Sequence, residues 1–371
     1  MEKTDICIIG GGIIGLAHAY ESWKHGYSVR LIEKDAFAVG ASIRNFGLVW
    51  PIGQPPGDLY DRAMKSRETW IELSKKAGFW GLESGSLHIA YAQDELDVML
   101  EYHEKYGKST ALLSPKDTLE RSPSVNPNGL LGALWSETEV NINPKMAVHA
   151  ISEWLSTQTG VLIQHGEKAL HVSSGMVESS KSIHYADKIL VCTGSDFQSL
   201  FPDTFASSPL IKSKLQMLRT RSQPPEFKLG PVLCGGLTLR HYGSFAQCES
   251  LQPYKERISR EYPEFDKWGI HVMVSQNEDN EMIIGDSHEY GFTFDPFDKS
   301  EINDLILNYM KNFVSIPDLK MLETWHGVYA KNPEGTEFVT EPADGVKVIT
   351  GFGGAGMTFS FGYAFEEISG W

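Results

Sequence analysis

The chain has 371 residues, of which 41% are hydrophobic and 22% charged, the composition of a folded protein long enough for two domains. A formal net charge of −15 argues against nucleic acid or an anionic membrane surface as partner, since both need a basic face, but leaves room for a small anionic ligand held by local positive charge. Cys7, Cys192, Cys234 and Cys248 lie far apart without C-x-x-C spacing, so no disulfide framework or metal site is expected and a reduced, cytoplasmic compartment fits.

The first predicted strand, Asp5 to Ile9, runs straight into Gly10-Gly11-Gly12-Ile13-Ile14-Gly15, a G-x-G-x-x-G turn. A helix-compatible stretch from Leu16 to Lys24 follows, then a second apolar strand, Tyr27 to Ile32, ending on Glu33. In such a unit Gly10 permits the tight turn, Gly12 admits a pyrophosphate close to the backbone, and Gly15 lets helix and strand pack. The helix N-terminus offers N–H groups and a positive dipole end to the phosphates. Glu33, eighteen residues after Gly15, is placed to accept the ribose hydroxyls. The unit therefore predicts dinucleotide binding. The apolar segment 6–20 is broken by glycines and too short to span a bilayer, and the strand starts too near Met1 for a signal peptide to precede it.

Further along, Ser86 to Ala92 alternates like a half-buried strand and Asp94 to Tyr106 reads as an amphipathic helix. Pro144 to Thr157 reads as another, with Met146, Ala147, Ala150, Ile151, Trp154 and Leu155 on one side, before a strand at 160–163. Ala186 to Val191 is a buried-strand run closing on Cys192-Thr193-Gly194. Residues 270–275 and 281–286 form a predicted β-hairpin around a polar turn, and Ser300 to Phe313 an amphipathic helix. Val346 to Thr350 repeats the strand-then-glycine pattern and feeds Phe352-Gly353-Gly354-Ala355-Gly356-Met357-Thr358, with a helix from about 359 to 368. The expected fold class is α/β, a Rossmann-type dinucleotide domain (1–84, 140–213 and 325–371) interleaved with an α+β antiparallel-sheet substrate domain (85–139 and 214–324). The cofactor would lie beyond the carboxyl ends of the parallel strands, its reactive ring at the domain junction.

The first nucleotide unit, the stretch Ala41-Ser42-Ile43-Arg44-Asn45-Phe46-Gly47, the strand end Val191-Cys192-Thr193-Gly194 and the C-terminal glycine loop, in this order, resemble the D-amino-acid oxidase family, which includes glycine oxidase and sarcosine oxidase-like flavoenzymes. The resemblance covers nearly the whole chain and implies FAD. It implies a cofactor-binding set of Gly10, Gly12, Ile14, Gly15, Glu33, Lys34, Ser42, Arg44, Asn45, Phe46, Gly47, Thr193, Gly194, Gly353, Gly354, Ala355, Gly356, Met357 and Thr358. Backbone N–H groups of the last loop would stabilise charge that builds on a reduced flavin.

Departures from the family pattern bear on the substrate. Where glycine oxidase and D-amino-acid oxidase carry an Arg that pairs the substrate carboxylate, the stretch Trp325-His326-Gly327-Val328-Tyr329-Ala330 has Tyr329. The flavin-linking Cys of sarcosine oxidases matches Gly327, and their carboxylate-binding Lys matches Thr358. Non-covalent FAD is thus expected, with a substrate not gripped as an ordinary α-amino acid. The segment 42–54 resembles a branch of the family linked with aminophosphonate breakdown, implying a small amine with a phosphonate. Arg44 is the leading partner for that anion, and Tyr329 and His326 complete the candidate catalytic set. Lys331, Arg240, His241 and Lys214 are weaker candidates. Tyr242 and His271 read as core packing, and His288-Glu289-Tyr290 as loop decoration or a further reach into the site. The expected reaction is hydride transfer from the carbon next to nitrogen to flavin N5, then imine hydrolysis, with dioxygen or an electron carrier as oxidant. A flavin aromatic hydroxylase, a dehydrogenase component passing electrons to a partner, and a non-catalytic FAD-binding scaffold are the alternatives.

Overall fold

In the computed structural model, which describes residues 3–371, the three strands that end on glycine lie in one sheet. Five parallel strands run in the order Val161–Gln164, Val29–Ile32, Thr4–Ile9, Ile183–Val191 and Val346–Thr350. Their near-continuous apolar sequences follow from being covered on both faces. One face meets the helices Ile13–Lys24, Asp58–Ala77, Pro144–Ser156 and Gly356–Ser369, in a core that includes Leu16, Tyr20, Trp70, Ile151 and Phe361. The other face is closed by Phe197, Phe205 and Leu210. The hairpin Ala169–Ser173 with Met176–Ser179 and the strand Phe338–Ala343 extend the sheet to eight strands.

A second, largely antiparallel sheet of nine strands runs from Glu289–Gly291 through Ile211–Thr220, Met282–Gly285, Met273–Gln276, Val232–Cys234, Ser86–Ala90 and Gly132–Ser136 to Thr110–Leu113. Met321–Lys331 also ladders onto Ile211–Thr220. Helices Gln93–Tyr106, Leu251–Glu261 and Ser300–Phe313 bury Val98, Tyr102, Tyr254, Ile258, Ile306 and Met310 against this sheet. A small third sheet, Leu48–Val49, Val140–Ile142 and Gly81–Glu83, lies beside them. The architecture is the expected α/β fold with an interleaved antiparallel sheet.

Details differ from the sequence expectation. The strands Ile211–Thr220 and Met321–Lys331 run through the boundaries expected at 213/214 and 324/325, because their ladder keeps both in the second sheet along their length. In Pro144–Ser156 the buried stripe is Ala147, Val148, Ile151 and Leu155, whereas Met146 is 53% exposed. The C-terminal helix starts three residues earlier than expected, at Gly356. The 20-residue helix Asp58–Ala77 is additional to the expected elements: it begins with Asp58 and Asp61, ends with Lys75 and Lys76, and is closed by Gly78 at φ 74°. All four cysteines are free and buried. Among the described residues, no helix is long and apolar enough to cross a membrane.

Candidate active site

A cavity of about 780 Å³ opens at the carboxyl ends of the parallel strands and is lined by residues of both large sheets. At its nucleotide end Gly10 adopts φ 108°, and a Cβ there would strike the Cys192 carbonyl of the neighbouring strand. Gly12 faces the cavity, with only Ser42 Oγ near its Cβ position, at 3.1 Å. Gly15 is not on the wall; a side chain there would meet the Gly10 carbonyl, so its part is the close packing of helix on strand. Glu33 Oε2 accepts from the Gly11 N–H at 2.7 Å and Oε1 from the Asp35 N–H at 2.9 Å, which pins the carboxylate on the cavity wall. Ile14, Lys34, Thr193 and Gly194 line the same stretch, Lys34 paired with Asp35. Gly194, at φ 62°, has no atom within 4 Å of its Cβ position.

In the middle of the cavity, Ser42 Oγ accepts from the Ile13 N–H at 2.9 Å and so fixes the start of the first helix. The Asn45 amide donates to the Ala41 and Ser42 carbonyls at 2.8 and 3.1 Å, and its Oδ1 accepts from the Gly47 N–H at 2.8 Å. These bonds shape the loop that presents Ser42, Arg44, Asn45 and Phe46 to the cavity. Gly47 does not line it: at φ 76° its Cβ position collides with the Ile142 carbonyl, so glycine is needed there for backbone approach. Opposite, Gly353, Gly354 and Ala355 form a tight turn into the helix Gly356–Ser369, and all four residues 353–356 line the cavity with Met357 and Thr358. The Thr358 hydroxyl accepts from the Trp50 N–H at 3.0 Å, and the Met357 carbonyl accepts from Trp70 Nε1 at 2.9 Å, tying this loop to the elements beside it. Glycines thus stand where a side chain would fill the cavity, and the indole Nε1 of Trp50, on the wall, is buried without a partner. This backbone cradle fits a dinucleotide with a planar ring system.

At the substrate end, Tyr329 faces the cavity with its hydroxyl oxygen 3.6 Å from the Cβ position of Gly354. Burial pushes its phenol, and that of Tyr242, well up, so both remain protonated donors. Gly327 passes beneath Arg44: a Cβ there would lie 3.0 Å from the Arg44 carbonyl oxygen, and Trp325 Nε1 donates to the same oxygen at 3.2 Å. The Arg44 guanidinium makes no ion pair or hydrogen bond to the described residues, and lines both this cavity and a second one of about 510 Å³. His326 belongs only to the second cavity, where its Nδ1 lies 2.8 Å from Asp298 Oδ1. This departs from the sequence expectation, which grouped His326 with Arg44 and Tyr329: residues 327–331 line the first cavity, whereas the His326 ring is held by Asp298 in the second.

Two of the weaker anion partners are also spent elsewhere. Lys214 Nζ is buried and donates to the Asp295 and Phe297 carbonyls at 2.9 and 3.2 Å, and Arg240 pairs with Asp266. Lys331 lines the cavity with its Nζ 3.3 Å from the Tyr290 hydroxyl. Tyr242 and His271, which read from sequence as core packing, line the cavity instead, together with His241, Asp286, His288 and Met273. Asp286 has no signal in the sequence beyond closing the hairpin.

The family profile described as FAD dependent oxidoreductase, DAO, matches residues 5–366. The chain is 22% identical over 356 residues to one of the component chains of opine oxidase from Rhizobium meliloti, covering 90% of this chain and 84% of that protein. Among solved structures it resembles glycine oxidase from Geobacillus kaustophilus (TM-score 0.77, 18% identity, covering 100% of this chain and 94% of that one). L-proline dehydrogenase from P. horikoshii is similar to the same degree (TM-score 0.77, 21% identity, 99% and 93% covered). At these identities the structural likeness is one of fold. With a profile match that takes in the N-terminal glycine turn, the loop 41–47 and the C-terminal glycine loop lining one cavity, the chain belongs to the DAO family of FAD-dependent oxidoreductases.

Proposed function

We propose that this protein oxidises the C–N bond of a small primary or secondary amine that carries an anionic group, with 2-aminoethylphosphonate or its N-methyl form as the leading substrate and FAD held non-covalently. Bound FAD supplies the two-electron acceptor for the hydride. The observation that carries the reading is the pairing of Tyr329, where family members that grip a carboxylate have Arg, with an Arg44 guanidinium left unpaired on the cavity wall. A guanidinium free of carboxylate partners suits a tetrahedral oxyanion, to which it offers a planar fork of donors. The Tyr329 phenol, kept protonated by burial, offers a hydrogen-bond donor on the same cavity wall. A side chain at 327 would crowd Arg44, which accords with glycine rather than a flavin-linking cysteine at that position. Amine oxidation is supported by what the relatives are called: opine oxidase, glycine oxidase and proline dehydrogenase all name amino compounds. No dedicated base is required when the neutral amine binds. The chain's part is then to orient the substrate and exclude water.

The likeness to a protein named as one component of an oxidase favours a second reading, in which electrons pass from the flavin to a partner chain rather than to dioxygen. Anaerobic mixing of the yellow holoprotein with glycine, sarcosine, D-alanine, 2-aminoethylphosphonate and N-methyl-2-aminoethylphosphonate tests the substrate. The phosphonates should bleach the flavin, and glycine bleaching as fast as either would overturn the argument from Tyr329. Stoichiometric hydrogen peroxide on aerobic turnover would refute the partner-chain reading.

A further inference from the structure

Three imidazoles meet at the substrate end of the cavity. His241 and His271 stack with ring centroids 3.8 Å apart, His241 and His288 lie 4.6 Å apart, and one ring nitrogen from each falls within 4.8 Å of those of the other two. The backbone fixes this meeting. His271 and Asp286 exchange N–H···O=C bonds of 2.8 and 3.2 Å across the hairpin, and the His288 N–H donates to the Trp268 carbonyl at 2.8 Å.

Each of the two buried rings has one nitrogen set close to an oxygen. His288 Nδ1 faces the Gly269 carbonyl at 3.1 Å, which places the proton on Nδ1 and leaves Nε2 as a lone pair. His271 Nε2 lies 2.8 Å from Asp286 Oδ1, while its Nδ1 is buried without a partner on a residue only 2% exposed. A carbonyl or carboxylate behind the far nitrogen is the arrangement that orients metal-ligating histidines. His241 is exposed to the cavity, and its side chain makes no hydrogen bond to the described residues.

We propose that His241, His271 and His288, backed by Asp286, bind a divalent transition-metal ion of the zinc type on the wall of the substrate cavity. Imidazole ligands select zinc, copper, nickel or iron over magnesium or calcium, which take oxygen. The alternative occupant of a histidine cluster is an anion, and it is disfavoured here. The Asp286 carboxylate, 2.8 Å from His271 Nε2 and 3.9 Å from His288 Nε2, sets a negative charge against the group that repels an anion and attracts a cation. Three protein nitrogens leave further coordination positions open to the cavity, one Tyr ring away from the glycine loop: the Tyr329 and His288 ring centroids are 6.4 Å apart. The assignment does not depend on the identity of the substrate.

Holoenzyme stripped with a chelator and returned to buffer is titrated with Zn²⁺ in the absence of substrate, by equilibrium dialysis with elemental analysis. One equivalent per chain is expected. His241→Gln and His288→Gln should weaken binding by about 100-fold or more, and Asp286→Asn by about 10–100-fold. His171→Gln, on an exposed strand of the other sheet, should leave it unchanged. Retained flavin absorbance checks the fold of every variant. Absence of saturable one-to-one binding, or binding that His241→Gln and His288→Gln leave intact, overturns the proposal. Co²⁺ added to the unmutated holoenzyme gives an independent readout. Intense four-coordinate d–d bands to the red of the flavin support the site, and the weak spectrum of an all-oxygen six-coordinate ion refutes it.

Discussion

The two ends of the cavity are built by different means. The nucleotide end is backbone: Gly10, Gly12, Gly194 and Gly353 to Gly356 come from three strand-to-turn units, each contiguous in sequence. The substrate end is side chain: His241, His271, Asp286, His288 and Tyr329 arrive from separate segments in or beside the second sheet, and Arg44 joins them from the loop 41–47 of the nucleotide domain. A shared ligand such as FAD is served by local geometry, and the particular substrate by long-range placement. Alterations at the first end should therefore remove the flavin, and alterations at the second should leave it bound and change what it oxidises.

Gly10→Ala is the largest test. The new Cβ meets the Cys192 carbonyl at a φ that alanine rarely adopts, so FAD affinity should drop by about 100-fold, and the purified protein should lose its yellow colour. Full flavin content in that variant would break the contrast. Arg44→Met comes next. It should lower kcat/KM for 2-aminoethylphosphonate by about 30-fold, the lower end of losing one partner of a charge pair, while sparing an uncharged amine of similar size and the flavin content. An equal loss on both amines would make Arg44 a flavin-positioning residue instead.

The smallest effect lies away from the cavity. Glu101, hydrogen-bonded by Lys105 and then by Ser250, has its carboxyl lowered from 4.5 to about 2. A carboxyl depressed by folding stabilises above its unfolded value, and the contribution disappears as pH falls through the folded one. Tm should thus fall between about pH 4.5 and 2, and more shallowly in Glu101→Gln, with no change in flavin affinity at neutral pH.

Legibility in the sequence follows the same division. Strands ending on glycine announce the parallel sheet, because a buried strand is a continuous apolar run and its turn needs residues without Cβ. The helix Asp58–Ala77 carries little such signal, because its inward stripe of Ala63, Ser66, Trp70 and Leu73 is thin and partly polar. Spacing places Met146 inward, yet the neighbouring stripe Ala147, Val148, Ile151 and Leu155 buries more completely. Gly47 reads as a cofactor contact, though it is glycine because the Ile142 carbonyl passes close by, whereas the packing role read for Gly15 matches its approach to the Gly10 carbonyl. His326 and Tyr329 lie three residues apart on one strand, and only the fold, which sets Asp298 beside His326, assigns them to different cavities. The histidine group has no local signal at all: the hairpin register brings residues 271 and 288 near each other, and 241 arrives separately at the end of the short helical turn Gly236–Arg240.

The ladder between Ile211–Thr220 and Met321–Lys331 pairs the two strands along nearly their whole length, and the chain passes between the two halves of the molecule next to its ends. Departure and return are therefore bolted side by side, like the two leaves of a stiff strap. A protease cut in the exposed stretch near Glu226 would leave both fragments clasped through that strap, so the nicked protein should run as one species under native conditions and as two only when denatured.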